Sequence, residues 1–340
     1  MPENYDDLFE EMESEPTAEG EPQSGPQSKE EFAARMKAAR DNLTELANQT
    51  EGEIAGDGGT FQRYLDTLSR FERYSAQNTL LIFAQRPDAA QLGDYDRWKE
   101  AGTPVSRGMT GISIFEPGKE YKREDGSTGV SMNIKKVFDV SQTSSSRATL
   151  SSSDGKPSLS ARSAAPPLPT RSGDLAGAPD RNKLQPEPVR NTRTLLKALM
   201  SSSPAPIRPV DSVQEGVGAR YNEQRGVIEV VRGLDGDSLF RCLSQEIAYA
   251  GLDRRDTGAL PCNDKGFAAY AASYALCTKY GMDTKGYDFA EVPEYFAGRD
   301  GKEVRGEIKT IRDTVNDVAT RMARELEPPE KKAQAQEARA

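Results

Sequence analysis

Apolar positions in the first third of the chain recur at three- and four-residue steps. Phe32, Met36, Leu43 and Leu46 predict a helix over 29–50 that ends in the glycine-rich stretch 52–59. Phe61, Tyr64, Leu65, Leu68 and Phe71 predict a second amphipathic helix over 60–73. Ser75 is placed to cap a short apolar helix, AQNTLLIFAQ, which must stop before Pro87. Residues 94–101 form a fourth helical piece closed by Gly102. Beyond it the period changes from helical to alternating. GISIFEP (111–117) and MNIKKVFDV (132–140) read as strands on either side of turn-rich DGSTG (125–129).

Residues 144–190 are dominated by Ser, Pro, Ala and Arg and hold no aromatic residue, which predicts a disordered linker. After it, 192–200 is helical, and 219–231 reads as a hairpin turning at Glu223–Gly226. A helix over 236–251 follows, capped by Asp237 or Ser238, then a small-residue helix over 264–281 and an amphipathic one over 302–326. The expected class is α+β. N-terminal helices with a β ribbon (29–143) are joined by the linker to a mostly helical part with a small hairpin (191–327), and a polar tail covers 328–340.

Composition narrows the chemistry. The 340 residues carry a net charge of −9 and contain no histidine. Without histidine the chain has no Ser-His-Asp triad, no Cys-His dyad and no His-ligated metal. Residues 1–28 hold nine acidic and no basic residues, so the acidity belongs to an expected disordered tail (1–28) and the rest sums to zero. The tail is a solubilising or autoinhibitory segment, or a mimic of DNA phosphates. Three cysteines (Cys242, Cys262, Cys277) without a CxxC pair suit reduced thiols and a cytoplasmic setting. The acidic N-terminus does not read as a signal peptide, and no apolar run is long enough to span a membrane.

Three runs carry a family resemblance. They are Tyr74-Ser75-x-x-Asn78-x-Leu80-Leu81-Ile82 with Gln85 and Pro87; Tyr95-x-x-Trp98 with Gly102, Val105-x-x-Gly108-x-x-Gly111-Ile112-x-Ile114 and Pro117; and Val137-Phe138-Asp139-Val140-Ser141-Gln142-Thr143. In this order they resemble the N-terminal single-stranded-DNA-binding domain of ArdC-type antirestriction proteins. The chain departs from the family at Gly108-Met109-Thr110-Gly111, where Gly-Glu-Lys-Gly is usual, and keeps only Arg107 of a basic pair. The resemblance implies a DNA-binding accessory protein of a conjugative mobile element, with single-stranded DNA as partner and conjugation or restriction proteins as further ones. Single-strand binding needs cations and aromatic stacking platforms. The candidates are Tyr74, Asn78, Trp98, Arg107, Lys135 and Lys136, with Tyr95 and Tyr121 as further aromatics. Each also has a structural reading. A lone Trp98 anchors a core, Asn78 can cap a helix, Tyr74 suits core or platform, and adjacent Lys135 and Lys136 face opposite sides of a strand. Residues 97–136 hold eight basic and five acidic residues, a modest local excess.

The second half resembles the zincin-like metallopeptidase domain of the same family. That signature, His-Glu-x-x-His on a helix, puts two zinc ligands on one face and a water-activating Glu between them. Here the segment reads Gln245-Glu246-Ile247-Ala248-Tyr249, and the acid expected in the next helix is Tyr270. All three ligand positions are replaced. The resemblance therefore implies a metal-free pseudoenzyme with no cofactor, in which a vestigial Glu246 bonds to Tyr249 or Tyr270 across the former site. Two alternatives stand beside it: a residual hydrolase using Glu246, and a protein decoy acting through the acidic tail.

Overall fold

The computed structural model describes residues 29–122, 126–144, 191–213, 218–255 and 264–327. The expected tails 1–28 and 328–340, the expected linker apart from Ser144, and Cys262 lie outside them.

The first helix, α1 (Lys29–Gly56), runs past its expected end. Thr50, Glu51 and Ile54 are buried on one face, and that packing carries the helix through Gly52. Asp57 then caps α2 (Gly58–Phe71), its Oδ2 accepting the Thr60 N–H at 2.6 Å. Gly58 is required by proximity, because a Cβ there would sit 2.0 Å from the Phe289 carbonyl oxygen. Ser75 caps α3 (Ala76–Gln85) as expected. The two-residue β1 (Leu92–Gly93) leads into α4 (Tyr95–Glu100), capped by Asp94. The ribbon is β2 (Ile112–Lys122) against β3 (Thr128–Asp139), closed by a 3-10 turn at Val140–Gln142. All pairs are antiparallel, in the order β1-β3-β2.

The chain resumes with α5 (Thr192–Ser201), followed by β4 (Ile207–Val210), β5 (Ala219–Asn222) and β6 (Val227–Val231). The β5–β6 hairpin turns where expected. The pattern did not announce β4, which joins β6 in parallel in the order β4-β6-β5. Then come α6 (Gly236–Arg255), α7 (Lys265–Tyr280), the short α8 (Val292–Phe296) and α9 (Gly301–Leu326). The cap of α6 is Asp235, not Asp237 or Ser238, because Asp235 Oδ1 accepts both of their backbone N–H groups at 3.1 and 3.0 Å. The described residues are thus α+β and mainly helical, with two small sheets.

The described segments before residue 145 and after residue 190 share one hydrophobic core. Leu43, Phe61, Leu65 and Leu81 lie in the same cluster as Leu199, Ile247, Ile311 and Val315. Polar contacts cross the same boundary. Lys279 Nζ lies 3.0 Å from Glu72, their side chains 12% and 4% exposed. Arg305 meets Glu51 at 3.0 Å. Arg312 donates to the Tyr74 and Arg73 carbonyls at 2.5 and 3.0 Å, satisfying oxygens just past the end of α2. Tyr274 donates to Asp66 at 2.7 Å.

Removing one partner of a buried pair strands the other charge. Glu72→Ala is therefore expected to lower unfolding free energy by about 3–5 kcal/mol in urea titration. Arg225→Ala breaks an exposed pair with Glu229 at 3.6 Å and should cost less than about 1 kcal/mol. Equal effects of the two substitutions would contradict a shared, desolvated interface.

Candidate functional site

The first resemblance run builds a clamp on the ribbon's edge. Antiparallel β2 has one edge paired to β3 and leaves the outward N–H and C=O of alternate residues without a strand partner. Two side-chain amides of α3 take their place. Asn78 accepts the Phe115 N–H and donates to the Phe115 C=O, both at 2.8 Å. Gln85 does the same for Ser113, both at 2.9 Å. Asn78 and Gln85 are seven residues apart, two helical turns, so both face the same strand.

The other two runs are tied to each other in the same way. Trp98 Nε1 donates to the Phe138 carbonyl at 2.9 Å. Asp139 Oδ1 accepts the Ala90 and Gln91 N–H groups at 2.7 and 2.9 Å. Gln142 accepts the Asp139 N–H at 2.9 Å and donates to the Thr110 carbonyl at 2.7 Å. Asp139 and Gln142 had no assigned role from sequence, although an Asp followed three residues later by Gln is a capping-box signal.

This placement corrects several candidates. Trp98 is 0% exposed, Asn78 3% and Tyr74 6%, and both polar ends of Asn78 are engaged. None of the three offers a face or edge to a base. Lys135 is held between Asp94 at 3.1 Å and Glu116 at 3.0 Å. Burial pushes its ammonium down, but the two carboxylates outweigh it and hold the pKa above the ordinary lysine value. Lys136 donates to the Gly111 carbonyl at 3.2 Å. Arg107 is exposed. Of the candidate aromatics, Tyr95 and Tyr121 reach solvent, 52% and 50% exposed.

In the second half, α6 carries Gln245, Glu246 and Tyr249, each half-buried. Glu246 Oε2 accepts the Tyr221 backbone N–H of β5 at 2.6 Å. Tyr249 donates to Glu223 at 2.7 Å. On α7, the Tyr270 hydroxyl accepts the Asp288 N–H at 2.7 Å, and its ring packs 5.0 Å from Tyr287 and 5.4 Å from Phe289. The expected bond from Glu246 to Tyr249 or Tyr270 is therefore replaced. The carboxylate turns to the edge strand beside it, and each tyrosine takes its own local partner. Glu246 and Tyr249 line a cleft of about 600 Å3 with Arg220, Asn222, Glu223 and Glu229. A larger cleft of about 750 Å3 lies among α1, α2 and α3, with mixed charges including Asp57, Arg63, Asp66 and Arg70.

These positions do not fit a zincin metal. The hydrogen bond to Glu223, with burial, pushes the Tyr249 hydroxyl up to about 12, and the hydroxyl is taken up by that carboxylate. Tyr270 faces an aromatic cluster and holds a backbone N–H. Among the described residues, no three His, Cys, Asp or Glu side chains converge as a metal-holding group. Burial raises the Glu246 pKa, against the lowering effects of the Tyr221 N–H and Arg220.

No family model and no curated protein matches the chain. Among solved structures, the metal-free crystal structure of antirestriction ArdC protein from the R388 plasmid is similar at 15% identity. That match covers 74% of this chain and 86% of that one, with a TM-score of 0.44. The Mn(II)-bound structure of that protein is similar at 16% identity over 74% and 85%, also with a TM-score of 0.44.

Asn78→Ala leaves the buried Phe115 N–H and C=O unsatisfied and should cost roughly 2–5 kcal/mol by chemical denaturation. Asn78→Asp keeps the acceptor but faces the Phe115 carbonyl with a second oxygen, and should remain destabilised. Glu246 has a raised native pKa, so its charge costs stability once pH rises through that value. Glu246→Gln still accepts the Tyr221 N–H. It should therefore raise the melting temperature at pH 7–8, and the gain should shrink as pH falls into the ordinary carboxylate range. A gain that grows on acidification would contradict the burial argument.

Proposed function

We propose that the chain is a single-stranded-DNA-binding, antirestriction-like accessory protein of a mobile element, and that its second half performs no metallopeptidase chemistry. One observation carries the reading. The three runs that resemble the ArdC-type N-terminal domain bind one another through their own characteristic side chains. Asn78 and Gln85 of the first run hold Phe115 and Ser113 beside the second. Trp98 of the second holds Phe138 of the third, and Gln142 of the third holds Thr110 of the second. Residues scattered over three runs are thus accounted for by one module. A chance match in sequence would have no reason to supply such mutual contacts.

Loss of the metal centre is supported by the residues standing at the ligand positions and by what they bond to. Gln245 is a poor substitute for imidazole, and Tyr249 and Tyr270 are occupied elsewhere. Glu246 is engaged by a strand N–H, so the hydrolase alternative gains no specific support. The decoy alternative rests on residues 1–28, outside the described ones. No described helix is long and apolar enough to cross a membrane.

The test is fluorescence-anisotropy binding of the full chain to a labelled single strand and to the matching duplex at two salt concentrations. Tighter, salt-sensitive binding of the single strand is expected. Binding absent at low salt would refute the reading. In parallel, calorimetry with Zn2+ or Mn2+ should give no specific heat. Stoichiometric binding of either ion would return the second half to metal chemistry.

A further inference from the structure

We infer that the outer half of the β2–β3 ribbon is the nucleic-acid contact, with Tyr121 as the stacking platform and Lys119 as a phosphate contact. The inference rests on the single-strand reading above and assigns it a site, since two of the three candidate aromatics in the motif runs, Trp98 and Tyr74, are buried.

The ribbon's inner half is consumed by packing. Ile112, Ile114 and Val137 lie in one cluster and Phe115 in another. Its outer half reaches solvent, with Pro117, Lys119, Glu120, Tyr121 and Lys122 of β2 all exposed. Facing residues of an antiparallel pair share a side, so the register sorts this end into two faces.

Tyr121 stands opposite Gly129. The register slips between Pro117 and Glu120, so Gly118 and Lys119 together oppose Ser131. Lys119, Tyr121 and Ser131 therefore belong to one face, followed by Asn133. Among the described residues Glu116 lies further along that face, and Lys135 holds it at 3.0 Å. Glu120 and Lys122 stand opposite Val130 and Thr128, on the other face, with exposed Met132 beyond. The first face is polar and carries Lys119 and the Tyr121 ring, and the second mixes the Glu120 and Lys122 charges with the apolar Val130 and Met132. That distribution favours a strand of phosphates and bases over an apolar protein partner on the Tyr121 face.

The ring is also held in place. Gly129 is buried although it lies near the ribbon's exposed end. A Cβ on it would meet Tyr121 Cζ at 2.7 Å and the hydroxyl oxygen at 3.0 Å. The Tyr121 ring thus lies across the glycine, one side against the sheet, while the residue remains 50% exposed. A ring fixed in this way loses little freedom when a base stacks on it. Lys119 makes no ion pair among the described residues.

The test uses the full chain and a fluorescent oligo-dT single strand, titrated across a salt series. Tyr121→Ala should weaken binding roughly 5- to 150-fold with the salt slope unchanged, because a stacked base is lost and no phosphate contact is. Tyr121→Phe should restore affinity. Lys119→Ala should lower the salt slope by about 0.7. Gly129→Ala, which lifts the ring without removing it, should weaken binding while Tyr95→Ala leaves it unchanged. Near-native affinity of the Tyr121→Ala protein, with its melting temperature intact, would overturn the ribbon site and leave the single-strand reading standing. A native chain that binds no oligo-dT would overturn both.

Discussion

A sheet edge that is buried must have its backbone groups satisfied, and here two side-chain amides meet that requirement. Asn78 and Gln85 present to β2 the donor and acceptor pairs that a neighbouring strand would present. An amide is suited to this because it carries both functions in one plane, at nearly the spacing of a peptide group. The helix supplies the repeat. Once α3 is fixed along β2, the ribbon's direction is fixed, and with it the position of β3 and of the turn carrying Asp139. Trp98 then closes the module from the other side through the Phe138 carbonyl. The outer ribbon projects beyond this clamp, where Tyr121 and Lys119 reach solvent.

The same need for polar satisfaction governs the joint between the two segments. Helix α2 ends at Phe71, and the carbonyls just past it point at α9, where Arg312 donates to two of them. Glu72 in the same stretch meets Lys279 of α7. Apolar contact alone would tolerate sliding between packed helices. Charged groups directed at particular carbonyls and carboxylates fix one register, because each slipped alternative would strand a desolvated group. The core of Leu43, Phe61, Ile247 and Ile311 supplies the driving force, and these polar contacts select the arrangement.

Local signals in the sequence were legible, and contacts between distant residues were not. Ser75 before an apolar run and Glu223–Gly226 between alternating runs have local meaning, and the elements form where those signals place them. Gly52 was misleading because the packing of Ile54 overrides a weak intrinsic preference. β4 escaped notice because four residues containing Pro209 owe their extended form to β6, which arrives later in the chain. The role of Asn78 lies in its partner, 37 residues away. An amide that reads a base and an amide that pairs with a strand are the same residue in a sequence. Two of the quoted aromatics, Trp98 and Tyr74, are buried in the core for a related reason, while Tyr95 of the second run stays exposed.

Glu246, Tyr249 and Tyr270 are taken up by contacts within the fold. Here Tyr270 on α7 fills space against Tyr287 and Phe289, and Ser273 of α7 meets Ser244 of α6 at 2.6 Å. Glu246 and Tyr249 turn the other way, toward β5 and its turn, and tie that hairpin to α6. Tyr221 adds a further tie to Asp253, which Lys265 of α7 also binds. The helices and the hairpin are therefore held by distributed hydrogen bonds and aromatic packing. A tyrosine suits that role better than a smaller residue, because it contributes both a filled volume and a hydroxyl long enough to reach a partner.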